Sequence, residues 1–126
     1  MMKRIEFVLP YPPTVNTYWR RHGGTYFISE AGKRYRRDVA YIVRQQQLKL
    51  RLGGRLAIKI IADPPDNRRR DLDNILKAPL DALTHAGVLI DDEQFDEISI
   101  VRGLPVPGGR LGVKIYEIMY DGQGIK

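Results

Sequence analysis

Ile5, Phe7 and Leu9 alternate with Glu6 and Val8, the two-residue period of a short strand. Pro10-Tyr11-Pro12-Pro13 ends it, because fixed φ angles and missing N–H donors impose an extended segment outside any sheet. After Gly23-Gly24, Thr25-Tyr26-Phe27-Ile28 reads as a second short strand. Ser29 is placed as the N-cap of a helix reaching to about Gln47 or Leu52, before Gly53-Gly54. At about 100° per residue, Tyr35, Val39, Ile42, Val43 and Gln46 share one helical face. Arg34, Arg37, Tyr41 and Arg44 share the opposite one, with Lys33 beside them. Leu48 and Leu52 fall on the basic side, so either the helix ends early or that end meets a partner chain.

Leu56, Ile58 and Ile60 alternate around Lys59, and Ile61 makes the far face partly apolar too, the pattern of an interior strand over 56–62. Beyond Pro64-Pro65-Asp66-Asn67 a second helix is expected from about Asp73 to His85, closed by Gly87 in a left-handed cap. Pro79 conflicts with that span: inside a helix it removes a hydrogen bond and clashes with the preceding turn, costing about 3 kcal/mol. A kink or a later helix start is therefore expected. Ile98 to Leu104 and Leu111 to Tyr120 read as two strands joined as a hairpin by Pro105-Val106-Pro107-Gly108-Gly109. The order β-(β)-α-β-α-β-β predicts an α+β fold: one domain over 1–126, with two main helices packed on a mixed sheet of four to five strands.

Composition narrows the class. The absence of cysteine excludes disulfide frameworks, thiolate metal sites and cysteine nucleophiles. The longest apolar runs, such as Val88-Leu89-Ile90, are too short to span a bilayer, and the opening Met1-Met2-Lys3-Arg4-Ile5-Glu6 lacks a secretory stretch. The expectation is a cytoplasmic protein with no membrane partner. Charge is unevenly spread: residues 1–60 carry 13 Lys and Arg against 3 acids, a net of +10, and residues 61–126 carry 8 against 12, a net of −4. A basic half suits a polyanionic partner, while the acids gather where a binding surface would not want them.

Those acids cluster in Arg68-Arg69-Arg70-Asp71-Leu72-Asp73-Asn74-Ile75-Leu76-Lys77 and again in Asp91-Asp92-Glu93. In an extended segment, Asp71 and Asp73 would present both carboxylates to one side, a chelating pair for one hard cation such as Mg²⁺. Lys77 would share a helical face with Asp73 if the helix began there. The run after the helix returns the chain toward its start with Asp91 and Asp92. Each part also has a plain structural role: aspartates as helix caps, arginines and acids as a solvated ion-pair run, Asp91-Asp92 as a turn. Together, paired acids, a lysine, arginines and a distal acidic pair are what metal-assisted phosphodiester hydrolysis needs. On these residues alone, a nuclease, a non-catalytic nucleic-acid-binding module and a structural protein all stay open.

The stretch from Arg68 through Asn74, with Lys77, Asp81-Ala82-Leu83, Ala86-Gly87 and Asp91-Asp92, resembles the RusA family of Holliday junction resolvases. So do Leu9-Pro10-Tyr11-Pro12-Pro13-Thr14-Val15-Asn16 with Tyr18, Ser29-Glu30-Ala31-Gly32 with Tyr35-Arg36, and Gly108-Gly109-Arg110. The resemblance implies a small homodimeric endonuclease, commonly carried by phages and prophages. It would be Mg²⁺-dependent, with Mn²⁺ able to substitute, and would nick a four-way DNA junction symmetrically in recombination and repair. The alternative is a non-catalytic branched-DNA-binding protein. By resemblance, the catalytic carboxylates and metal ligands fall on Asp71, Asp73 and Asp92, and the functional lysine on Lys77. That lysine would neutralise charge on the phosphoryl group or position the water. A DNA-contacting arginine falls on Arg70. The charge pattern adds Arg68, Arg69, Arg20, Arg21, Arg34, Arg37 and Arg44 as phosphate contacts. Tyr18 and Trp19 are expected either to stack on bases at the crossover or to cover a sheet edge or pack at the dimer interface. His22 and His85 are not expected as ligands, and Leu48, Leu50 and Leu52 are candidates for the dimer surface.

Overall fold

The computed structural model describes residues 4–119; Met1-Met2-Lys3 and Tyr120, the expected end of the last strand, lie outside the described residues. Strand β1 (Arg4–Leu9) leads through the proline segment into a single helical turn, α1 (Val15–Tyr18). A hairpin of β2 (Trp19–His22) and β3 (Thr25–Ile28) follows, turning at Gly23-Gly24. Then come helix α2 (Glu30–Gln45), strand β4 (Leu56–Asp63), helix α3 (Lys77–Ala86), and strands β5 (Phe95–Arg102) and β6 (Arg110–Glu117). Short 3₁₀ turns at Leu72–Ile75 and Asp92–Gln94 flank α3. The single α+β domain with two main helices is as expected; α1 and β2 were not.

The main sheet has the order β1-β6-β4-β5, antiparallel except for the parallel pair β4–β5. The expected hairpin between the last two strands does not form, because β4 lies between them. Two prolines in the seven-residue connection lack the donors a tight ladder would use, and β4 pairs on both edges. A parallel pair needs a long crossover, and α3 supplies it between β4 and β5. Leu56, Ile58 and Ile60 of β4, Phe7 and Leu9 of β1, and Leu111, Val113 and Ile115 of β6 form one core with Tyr35, Val39 and Val43 of α2 and Leu80 and Leu83 of α3. The opposite sheet face carries exposed Val8, Ile61 and Val101. Among the described residues no helix is long and apolar enough to cross a membrane.

Helix α2 begins where expected: the Ser29 hydroxyl accepts a hydrogen bond from the Gly32 N–H at 3.0 Å. It ends early. Gln47 turns into the left-handed region at φ 56°, and the Leu48 N–H returns to the Val43 carbonyl at 2.8 Å, a Schellman-type closure. Gln46 is therefore an exposed cap residue rather than part of the buried face. The reversal carries Leu48 onto the core and buries Leu52 at 4% exposure, so of the three leucines expected at a partner surface only Leu50 stays exposed.

The conflict at Pro79 resolves as a later helix start. Helix α3 begins at Lys77, which places Pro79 in the first turn, where its missing N–H costs nothing. Gly87 closes the helix at φ 87°, a conformation any Cβ would strain. A polar clamp then ties α3 to the rest. The fully buried Tyr18 hydroxyl donates to Asp81, and Arg36 of α2 grips the same carboxylate through Nε at 2.9 Å and Nη2 at 3.2 Å. Burial first, then Asp81, pushes the Tyr18 phenol well above its usual range, so it stays a donor. Asp81→Ala should lower the unfolding free energy by about 3 kcal/mol in urea titration, because it leaves a cation and a buried hydroxyl unpaired. A loss below about 1 kcal/mol would show that water replaces the carboxylate freely.

Candidate active site

After β4 the chain runs through Pro64-Pro65 into a turn organised by Asp66. Its carboxylate accepts from the Arg68 N–H at 2.9 Å and from Arg70 Nη1 at 2.7 Å. The Arg70 bond, then the Arg68 N–H, lowers the Asp66 carboxyl to about 2, so the pair stays intact throughout the neutral range and is lost only as pH falls toward that value. The Arg70 guanidinium also lies 5.8 Å from the Tyr11 ring centre, joining the turn to the proline segment.

Asp71 is extended (φ −93°, ψ 130°) and precedes the 3₁₀ turn Leu72–Ile75, yet its side chain makes no capping hydrogen bond. The turn is closed by backbone groups instead, Asn74 N–H to the Asp71 carbonyl at 3.1 Å and Leu76 N–H to the Asp73 carbonyl at 3.4 Å. Asp73 thus sits inside a helical turn, and the expected single extended segment holding both carboxylates is not formed. Leu72, packed against the core, and buried Ile75 draw the chain inward at this point. Both aspartates are exposed, and neither carboxylate has a hydrogen-bonding or ionic partner among the described residues.

Lys77 opens α3 instead of sitting one turn inside a helix begun at Asp73, so the expected Asp73–Lys77 pairing is replaced. Its Nζ lies 3.6 Å from Asp92 Oδ2, with the two side chains 51% and 31% exposed. The return of the chain produces this meeting. Buried Val88 and Leu89 anchor the segment after Gly87, and Asp91 caps the second 3₁₀ turn, accepting from the Glu93 N–H at 3.1 Å. Asp91 is thereby a structural cap, leaving Asp92 free to face the lysine. The buried Gln94 amide completes the turn. Its oxygen accepts from the N–H groups of Ile90 at 2.9 Å and Asp91 at 2.8 Å, and its nitrogen donates to the carbonyls of Leu52 and Gly54, both at 2.9 Å. Gln94 drew no notice in the sequence, because a lone glutamine carries no periodic signal.

The donor chemistry suits Mg²⁺, which takes one or two carboxylates and fills its remaining positions with water and phosphate oxygens. Among the described residues, however, no three Asp, Glu, His or Cys side chains stand close enough to hold one ion. The expected convergence of Asp71, Asp73 and Asp92 as a set of three is thus not assembled in this structure; a lysine ammonium faces Asp92.

Arg68, Arg69 and Arg70 line a cleft of about 350 Å³ with Asp71, and Arg102 from the end of β5 lines it too. Arg102 was not anticipated: a solitary arginine ending a strand has no local signal. Arg20 and Arg34 line a separate depression with Phe27, and Arg21, Arg37 and Arg44 are also exposed. Base stacking by Tyr18 is excluded, since its ring is fully buried in the clamp with Asp81. Trp19 is half-buried, edge-on to Tyr18 and beneath Arg36 at 5.9 Å. The aromatic rings the hairpin does expose are Tyr26, at 67%, and Phe27.

The family model for endodeoxyribonuclease RusA matches residues 10–116. The chain is 61% identical over 117 residues to a crossover junction endodeoxyribonuclease of Enterobacteria phage HK97, covering 93% of this chain and 98% of the relative. Over the same shares it is 40% identical to the crossover junction endodeoxyribonuclease of Escherichia coli K12 and 41% to that of Enterobacteria phage 82. Exposed pairs contribute little to folding, so Lys77→Ala should change the unfolding free energy by under about 1 kcal/mol. Denaturant titration beside a cleavage assay then separates a residue kept for chemistry from one kept for the fold.

Proposed function

This chain belongs to the RusA family of endodeoxyribonucleases, and from that premise we propose that it resolves four-way DNA junctions by paired symmetric nicks. It would act as a Mg²⁺-dependent, structure-selective endonuclease in homologous recombination and repair, in the cytoplasm where such DNA is found. What supports the reading is the Lys77–Asp92 pair at 3.6 Å, together with two exposed carboxylates earlier in the same segment, Asp71 and Asp73, that have no partner among the described residues. A non-catalytic branched-DNA-binding protein would use the arginines but would gain nothing from acids that repel a polyanion.

Asp71, Asp73 and Asp92 are the residues that would hold Mg²⁺, and to do so as a set of three they must draw closer together than they stand here. When bound, the ion supplies a polarised phosphoryl group and a water acidic enough to attack at neutral pH. Lys77 is a half-exposed cation facing Asp92, and its charge would be available to phosphoryl oxygens as they gain negative charge. Water oxygen bonds to phosphorus and the bond to the 3′ oxygen breaks, leaving a ligatable 5′-phosphate and 3′-hydroxyl. Affinity comes from Arg68, Arg69, Arg70 and the exposed arginines of β2 and α2 through phosphate contacts and counterion release. Two symmetric nicks require two equivalent sites, which a two-fold homodimer provides.

Asp73→Asn should reduce junction cleavage in Mg²⁺ by about two orders of magnitude or more, read as nicked product on a labelled four-way junction. Wild-type cleavage by that variant would remove Asp73 from the site. Asp71→Asn in EDTA should bind the junction as well as or better than the parent protein, because a charge repelling phosphate is gone. Sedimentation at micromolar concentration should give the mass of a dimer.

A further inference from the structure

The connection between β5 and β6 was expected to be a plain hairpin turn. In the structure it is a pinned loop over the end of β4. The Gly103 N–H donates to the Ala62 carbonyl at 2.8 Å and the Val106 N–H to the Pro64 carbonyl at 2.9 Å, while Pro105 and Pro107 fix their own φ angles. Asp63 ties both ends. It accepts from Arg110 Nε at 2.9 Å, and its carboxylate lies so close to Gly103 that a Cβ there would fall 1.8 Å from Oδ1. Only glycine permits that approach.

Two features here are not fully used by the fold. Arg102, at its foot, spends one donor on the Arg70 carbonyl at 2.5 Å and has no acidic partner among the described residues, nor does Arg69. The cleft between them holds Arg68, Arg69, Arg70 and Arg102 against Asp66 and Asp71, four cations to two carboxylates. Leu104 is 81% exposed, and its neighbours Gly103 and Pro105 line that cleft, so the leucine stands on its rim. An exposed leucine is ordinary in itself. A leucine displayed on a loop already immobilised, beside a surplus of positive charge, can enter a contact without first being ordered.

We propose that this loop is the branch-recognising element of the chain: Arg102 takes a backbone phosphate in the cleft, and Leu104 wedges against an unstacked base at the crossover. The inference rests on the junction-resolving reading above. Apolar wedges exploit base steps that open cheaply, and a four-way junction offers such steps at its centre whereas continuous duplex does not. The wedge therefore favours branched over linear DNA, while the arginine favours both alike.

The test titrates wild type, Leu104→Ala, Leu104→Met and Arg102→Ala in EDTA onto a four-way junction carrying 2-aminopurine beside the crossover, and onto linear duplex. Wild type should raise the 2-aminopurine emission. Leu104→Ala should abolish the rise and weaken junction binding about tenfold, the equivalent of exposing one leucine, with duplex binding unchanged. Leu104→Met should restore both. Arg102→Ala should weaken binding to both DNAs and flatten the slope of log K against log salt by about 0.9. Wild-type emission and affinity in Leu104→Ala, or an equal loss on both DNAs, would overturn the wedge; an unchanged salt slope in Arg102→Ala would overturn the phosphate contact. Failure of wild type to bind the junction at all would instead overturn the resolvase reading, and this inference with it.

Discussion

The geometry of the acidic site depends on one buried amide. Gln94 holds two donors from the segment that leaves α3 and two acceptors from the loop that enters β4, so the chain must reverse within a few residues of Gly87. A glutamine side chain with all four positions used is at once costly to disturb and specific in direction. From that reversal follow the cap by Asp91, the orientation of Asp92 and its meeting with Lys77. Helix α3 must also be held at the right height, and the clamp of Tyr18 and Arg36 on Asp81, one turn beyond Lys77, does this from the other side.

Charge is distributed by the same economy. Asp66, Asp81 and Asp63 are spent on arginines that shape the turn, the helix packing and the loop. Among the described residues Asp71 and Asp73 have no partner, and Asp92 has a lysine at 3.6 Å. Unpaired carboxylates in a chain of net charge +6 are not explained by folding, since neutral residues would serve as well at exposed positions. They suit a phosphodiester-cleaving site, and the arginine cleft beside Asp71 would offset their repulsion of DNA.

Much was legible in the chain. Alternation located β1 and β4, Ser29 started α2, Gly87 ended α3, and Pro79 pointed to either a kink or a later start of the second helix, of which the later start is found. These signals are local: each is the preference of one residue or one short period for a backbone state. The motif from Arg68 to Asp92 was equally legible as a resemblance, and the family match over residues 10–116 agrees with it. Stacking by Tyr18 was misjudged because aromatic character does not reveal burial, and the hairpin after β5 because strand proximity in sequence does not reveal sheet order.

By itself, then, the sequence determined the main element types, the start of α2 and the end of α3, the chemical identity of the acids and arginines, and the class of reaction they suit. Tertiary structure alone decided that β4 separates β5 from β6, that Lys77 meets Asp92, and that Arg102 lines one cleft with Arg68, Arg69 and Arg70. The division has a simple cause. Backbone preference is set by neighbours along the chain, whereas these contacts join residues from 15 to more than 30 positions apart, through a burial pattern that no short window contains.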